Sequence, residues 1–271
     1  MPQYAIMEQR NPRRAISRFD VDPLFDLTDR VAVVTGGSRG LGRAMVLAFA
    51  QRGADVVIAS RKIASCEALA REVMQTTGRR AVPFAANTGD WNQCDSLAHA
   101  AFAEFGHVDI LVNNAGMSLL YPKLSEVDEA MWDKVLGVNL KGPFRLSAAI
   151  GSRMAEAGGG SIINVSSIAS LKPLANAIPY AAAKAGLNAL TEGFANALGP
   201  KVRVNAIVAG PFRTDIAKAW DVEAVERAAR KSHSLGRIGE PGEVIGAALY
   251  FASSASSYTT AALLRLDGGA S

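Results

Sequence analysis

Val31-Ala32-Val33-Val34-Thr35-Gly36-Gly37-Ser38-Arg39-Gly40-Leu41-Gly42 is the stretch that decides the fold. An apolar run, mostly valine, leads straight into a glycine-rich turn, and an amphipathic pattern over about 40–52 follows. Apolar residues without alternation belong to a strand covered on both faces, as in parallel sheets. Gly36 lets the chain turn without a Cβ clash, Gly40 lets backbone approach an anion, and Gly42 lets helix and strand pack closely. The helix start beyond the turn offers free N–H groups and a partial positive charge to a phosphate. Strand, glycine turn and helix in this order form the context of a dinucleotide-binding fingerprint.

The same alternation continues along the chain. Val56–Ala59, Ala81–Ala86, Ile110–Val112, Ile162–Val165, Val202–Val208 and Leu263–Leu266 read as further strands. Helices are expected over about 63–77, 91–105, 126–138, 142–157, 178–198 and 241–252, with Asp90 and Ser125 as N-caps and Pro241 in a first turn. This predicts a single-domain α/β fold, a doubly wound parallel sheet in a Rossmann-type three-layer sandwich. Right-handed crossovers put the strand C-termini, and the ligand crevice, on one edge. Residues 1–27, with Arg10, Arg13, Arg14 and Arg18 among prolines, read as an N-terminal arm that is flexible or wraps a neighbouring subunit. The domain proper is drawn at 28–271.

Composition narrows the class. A chain of 271 residues, 49% hydrophobic, can bury one generous core. No apolar run reaches membrane-spanning length, so no membrane association is expected. The formal charge is +4, but the arginines are dispersed rather than massed, so nucleic acid is not an expected partner. Cys66 and Cys94 lack metal-ligand spacing and read as reduced thiols; no metal is expected. The absence of targeting signals points to a cytoplasmic protein.

Three further segments carry chemistry. The second strand ends in Ala59-Ser60-Arg61-Lys62, where an NAD-binding chain would place a carboxylate on the ribose diol. Arg61 can fork onto a phosphate, Ser60 can donate a hydrogen bond, and Arg39 can face the same pocket. Two guanidiniums without an acid point to NADP(H). Asn113-Asn114-Ala115-Gly116 ends the fourth strand and offers a second wall beside the adenine ribose. Tyr180-Ala181-Ala182-Ala183-Lys184 puts a phenol and an ammonium one helical turn apart on one face. Ser167 closes the strand upstream. A cation ~4 Å from the phenol, at an effective dielectric of ~20, is worth about 4 kcal/mol, enough to acidify it by up to roughly 3 pK units. Phenol, cation and nucleotide loop together suggest hydride transfer to or from a carbonyl.

With those pieces in order, the chain resembles the short-chain dehydrogenase/reductase family in its compact single-domain form, over about residues 28–271. The matching parts are the glycine turn, Asn113-Asn114-Ala115-Gly116, Asn139, Ser167, and Tyr180 with Lys184. The resemblance implies an NADP(H)-dependent carbonyl reductase or alcohol dehydrogenase. Tyr180 would be the general acid and base, Ser167 would hold the reacting oxygen, Lys184 would bind the nicotinamide ribose, and Asn139 would anchor a water leading to solvent. It also implies cofactor contacts from Gly36, Ser38, Arg39, Gly40, Leu41, Ser60, Arg61, Asn87, Asn114, Ala115, Gly116, Tyr180, Lys184, Gly210 and Thr214. A lid is expected over about 211–237, and a homo-oligomer, tetramer or dimer. Asn87 stands where the family has Asp. Ala209-Gly210 replaces Pro-Gly, which puts the stiffness of that loop in question, and Thr260-Ala261 replaces Thr-Gly. Candidate substrate contacts are Met117, Ser118, Leu119, Ile168, Ala169, Ile178, Phe212 and Trp220, a mostly apolar set that favours an aliphatic or aromatic substrate over a sugar. The alternative is a catalytically silent NADP(H)-sensing protein on the same fold.

Overall fold

The structure, a computed structural model, describes residues 23–214 and 222–270. Seven strands form one sheet: β1 Val31–Thr35, β2 Asp55–Ser60, β3 Ala81–Ala85, β4 Ile110–Asn113, β5 Gly160–Ser167, β6 Val202–Ala209 and β7 Leu263–Leu266. The order is β3-β2-β1-β4-β5-β6-β7, parallel at every pairing. Strand order reverses between β1 and β4, so the chain leaves a crevice beyond their C-terminal ends.

Eight helices cover the sheet: α1 Gly40–Gln51, α2 Ile63–Thr77, α3 Trp91–Phe105, α4 Glu129–Leu136, α5 Gly142–Glu156, α6 Ile178–Leu198, α7 Val222–Ser232 and α8 Ile245–Ala252. Alternate strand residues feed two separate cores. Ala32 and Val34 pack with Met45, Phe49, Leu69 and Phe251 of α1, α2 and α8. Val31 and Val33 pack with Leu97, Leu146 and Ile150 of α3 and α5. The unbroken valine run of β1 is thus the signature of a strand with helices on both sides.

The structure redraws some expected elements. The fourth helix, expected over 126–138 behind Ser125, begins at Glu129 instead. The Asp128 carboxylate accepts from Met131 N–H and caps it, while Leu124–Glu126 forms a separate 3-10 turn. Asp128 offers a charged acceptor three residues before that donor, which Ser125 cannot reach. Gly137–Lys141 then widens into a π-helical turn that runs into α5. The expected final helix divides into a 3-10 turn, Pro241–Val244, opened by a Glu240–Glu243 capping box, and α8. Asp90 caps α3 as expected, accepting from Gln93 N–H. β7 is an edge strand with Leu263 and Leu264 exposed, rather than a doubly covered one. At the other end, Leu27 is buried in the core and its N–H donates to Arg52 O. The rest of the N-terminal arm, residues 1–22, lies outside the described residues.

Candidate active site

The glycine turn is fastened by β4. Thr35 Oγ1 donates to Val112 O (3.1 Å) and accepts from the N–H groups of Asn114 and Ala115 (both 3.0 Å). The Asn114 amide donates back to Thr35 O (2.8 Å) and Gly36 O (3.2 Å). Asn114 is therefore a staple for the turn, and its amide is committed there rather than to a ribose. Gly36 takes a φ of +62°. A methyl group on Gly42 would sit 2.3 Å from Gly36 O, so the close packing of helix against turn requires glycine there. Arg39, the N-cap of α1, makes no side-chain cap bond, which leaves the first-turn N–H groups for an anion. Thr214, from the loop after β6, lies 3.4 Å from where a Gly40 Cβ would be, so that loop closes over the turn.

Beside the turn, the Ser38 and Ser60 hydroxyls share a hydrogen bond of 2.9 Å, and Ser60 Oγ lies 3.2 Å from Cys66 Sγ. This joins the segments that carry Arg39 and Arg61. Both arginines are exposed, and neither forms an ion pair among the described residues. Arg61, Asn87, Gly89, Met117 and Lys134 line a cavity of about 130 Å³. Met117, expected at the substrate, thus faces the nucleotide side. Asn87 Oδ1 accepts from Gly89 N–H and shapes the turn at that wall.

The reacting groups sit one strand further along. Tyr180 and Lys184 project from α6 with the ammonium 5.7 Å from the ring centroid. The Ser167 side chain at the end of β5 neighbours the Tyr180 phenol and pulls its pKa down. Lys184 is buried and donates to Val165 O (2.8 Å). Burial pushes the Lys184 pKa down to about 8. Burial also raises the Tyr180 pKa and outweighs the pull of Ser167. Lys184 is tied to the β5 main chain with its ammonium 5.7 Å from the ring centroid, and burial moves the Tyr180 pKa up, against the acidifying direction expected from the sequence.

Asn139 is fully buried in the π turn. Its amide donates to Met117 O (2.8 Å) and Val135 O (2.9 Å) and accepts from Met117 N–H (3.2 Å). Both amide hydrogens are used in holding the loop after β4, while Oδ1, with one N–H bonded, keeps a second acceptor site. The main chain at Gly116 runs between Asn139 and Lys184; a methyl there would lie 3.0 Å from Asn139 Oδ1 and 3.6 Å from Lys184 Nζ.

The loop after β6 is stiffer than Ala209-Gly210 suggested. Gly210 N–H donates to Leu266 O, Gly239 N–H to Pro211 O, and Arg213 N–H to Gly239 O. Phe212 is buried against Gly239, and Ala169 is also buried. Trp220 and the 215–221 part of the expected lid lie outside the described residues; α7 forms the lid's described remainder. Sequence reading missed Thr35, Ser170, Asn188 and Tyr121. Ser170 Oγ donates to Ser167 O (2.6 Å) and accepts from the Asn188 amide (2.9 Å), bracing the serine from behind. Asn188 was findable, since it continues the Tyr180–Lys184 face one turn later.

Comparisons with known proteins place the chain in a family. A family model described as Enoyl-(Acyl carrier protein) reductase matches residues 36–271. The chain is 37% identical to D-threitol dehydrogenase of Mycolicibacterium smegmatis, covering 92% of this chain and 95% of that one. It is 35% identical to a 3-oxoacyl-(acyl-carrier-protein) reductase of Thermotoga maritima, covering 90% and 98%. The chain belongs to the short-chain dehydrogenase/reductase family. Among solved structures, a 7α-hydroxysteroid dehydrogenase complexed with NADH and 7-oxo glycochenodeoxycholic acid matches with a TM-score of 0.87 and 29% identity, over 92% of this chain and 96% of that one.

Short-chain dehydrogenases use a nicotinamide cofactor, and the residues present fit one. The turn around Gly36 and Gly42 leaves no room for a Cβ, and the α1 start carries no cap of its own. The chain is accordingly an oxidoreductase. No group of three metal-ligating side chains occurs among the described residues. No described helix is long and apolar enough to cross a membrane. Both cysteines are buried and unpaired.

Proposed function

We propose that the protein is an NADP(H)-dependent oxidoreductase that interconverts a ketone or aldehyde with its alcohol, Tyr180 acting as general acid and base. One observation carries this reading: α6 projects Tyr180 with the buried Lys184 ammonium 5.7 Å from its ring, and β5 ends at Ser167 beside them, at the same end of the sheet as the glycine turn. When bound, the nicotinamide supplies or accepts the hydride. The protein's part is to hold the reacting oxygen and move its proton.

Ser167 donates a hydrogen bond to that oxygen and polarises it. Tyr180, kept protonated at neutral pH by burial, gives its proton to the oxygen as negative charge develops there. Lys184, with a pKa of about 8, is mostly charged at pH 7 and steadies the phenolate left behind. Its bond to Val165 O fixes the ammonium at the end of β5, from where it would bind the ribose hydroxyls of the cofactor. Asn139 sets the loop that carries Met117, and its second Oδ1 acceptor site would hold a water. A protonated phenol favours reduction at neutral pH, and alcohol oxidation gains as pH rises.

The preference for NADP(H) rests on Arg39 and Arg61, unpaired and joined through Ser38 and Ser60, with no carboxylate at the end of β2. Leu41, Asn87, Ala115, Gly210 and Thr214 complete the cofactor wall in this reading. Exposed apolar residues on the loops after β4 and β5 and at the start of α6 (Leu120, Leu171, Leu174 and Ile178) favour a substrate with an apolar body. Self-association as a dimer or tetramer is supported by exposed Trp91 and Phe144 and by the leucines of β7. A cytoplasmic location is supported by the two unpaired thiols.

The test is an absorbance assay at the nicotinamide band, with NADPH and NADH against a panel of ketones and aldehydes, and the reverse with alcohols. NADPH-dependent turnover of an apolar carbonyl is the expected result. Tight NADPH binding without turnover on a broad panel would favour the sensor alternative.

A further inference from the structure

We propose that Tyr121 is a positioning residue that caps the catalytic helix from a separate loop. The inference rests on the reading of Tyr180 as the proton donor. Helix α6 starts at Ile178, and its N-cap is Ala177, whose methyl cannot accept a hydrogen bond. Pro179, next in the chain, has no N–H, and the first bond within the helix is Ala181 N–H to Ala177 O. The Ile178 N–H therefore needs an acceptor from outside the helix. Tyr121 supplies it: its hydroxyl accepts from Ile178 N–H (3.1 Å) and donates to Ala175 O (2.8 Å). Its main-chain N–H also donates to Asn176 O (3.4 Å).

Tyr121 is 4% exposed. A buried tyrosine kept only for its ring would be as well served by phenylalanine, but here the hydroxyl works as both donor and acceptor. The bond lands two residues before Tyr180. It also joins the two loops that wall the crevice on the substrate side: the one after β4, which carries Tyr121, and the one between β5 and α6, which carries Ala175. Movement of the first loop thus reaches the helix that carries the phenol through this hydroxyl, the one link among the described residues that bonds to α6 itself rather than to the loop before it. Catalytic rates are sensitive to displacements of this kind.

The test compares the full chain with Tyr121→Phe, and with Tyr121→Phe combined with Ala177→Ser. At the N-cap the serine hydroxyl accepts from Tyr180 N–H, since Pro179 has none, and so firms the helix start without reaching Ile178 N–H. Amide hydrogen exchange at Ile178, kcat, the pH profile of alcohol oxidation and the Kd for NADPH are measured on each folded variant. Tyr121→Phe is expected to speed Ile178 exchange at least tenfold and lower kcat about tenfold. It should also move the alkaline limb of the pH profile, while the NADPH Kd stays within twofold. Ala177→Ser should restore most of kcat.

Unchanged exchange in Tyr121→Phe overturns the cap. Faster exchange with unchanged kcat and pH profile overturns positioning, as does failure of the serine to restore kcat. If Tyr121→Phe does not fold alone, recovery of a folded, active double variant supports the proposal and lack of recovery counts against it. Should Tyr180→Phe turn over normally, the reading of the active site fails, whereas the exchange result still decides the cap.

Discussion

The two sides of the crevice are held in different ways. On the β1–β4 side, two adjoining side chains pin main chain that has no room for a Cβ: the Asn114 amide donates to Thr35 O and Gly36 O, and the Thr35 hydroxyl accepts from the Asn114 and Ala115 N–H groups. On the β5–β6 side, individual side chains reach across gaps. Tyr121 holds the start of α6, Ser170 and Asn188 brace Ser167, and Arg213 bridges to Glu226 and Glu240. The first arrangement leaves no space for a side chain at Gly36 or Gly42, so few sequences can form it. The second needs only some side chain of suitable reach, so many sequences can. The rigid side therefore announces the cofactor, while the adaptable side keeps the substrate to itself.

Breaking the rigid side should have the largest effect. Gly42→Ala forces a methyl against Gly36 O at 2.3 Å, with overpacking that costs about 3 kcal/mol. The expected outcome is a lower midpoint in urea denaturation and loss of measurable NADPH binding. Stability and affinity near those of the parent would mean that the turn yields, and the contrast between the two sides would fail.

The next effect is on pH dependence. Lys184 has its pKa depressed from 10.5 to about 8 in the folded protein. Between those values the unfolded chain binds more protons, so stability rises with pH. Between pH 8 and 10 the gain from this one group is about 2 kcal/mol. It is fully absent below pH 8, where both states carry the charge. Urea denaturation across that window should show the rise in the parent and a flatter line in Lys184→Met. Parallel lines would remove burial as the cause of the shift.

The smallest expected effect sharpens cofactor choice. Arg61→Glu replaces a phosphate-binding fork by a carboxylate suited to a ribose diol. The ratio of kcat/KM for NADPH over NADH should fall about 10- to 100-fold. An unchanged ratio would move the selectivity away from the end of β2.

The same contrast explains what could be read from the chain. The valine run of β1, the glycine turn and the Tyr180–Lys184 spacing announce themselves because each follows from local geometry. Asp90 was legible as a cap for the same reason. The start of α4 was not, since Ser125 and Asp128 both offer an oxygen and only packing selects Asp128. The π turn that seats Asn139 has no local sequence mark. Tyr121 lies 57 residues from the N–H it accepts, a distance that no spacing rule bridges. The acidity of Tyr180 was not legible, because a pair of residues in a sequence carries no dielectric; desolvation raises the phenol pKa and lowers that of Lys184.

The account stands on proton transfer by Tyr180, and single-turnover kinetics of Tyr180→Phe, with NADPH and a carbonyl that the parent reduces, tests this most directly. Loss of hydride transfer by about 10³-fold, within the range of general acid catalysis, is expected, with NADPH affinity within threefold of the parent. Hydride transfer at the parental rate would contradict the account.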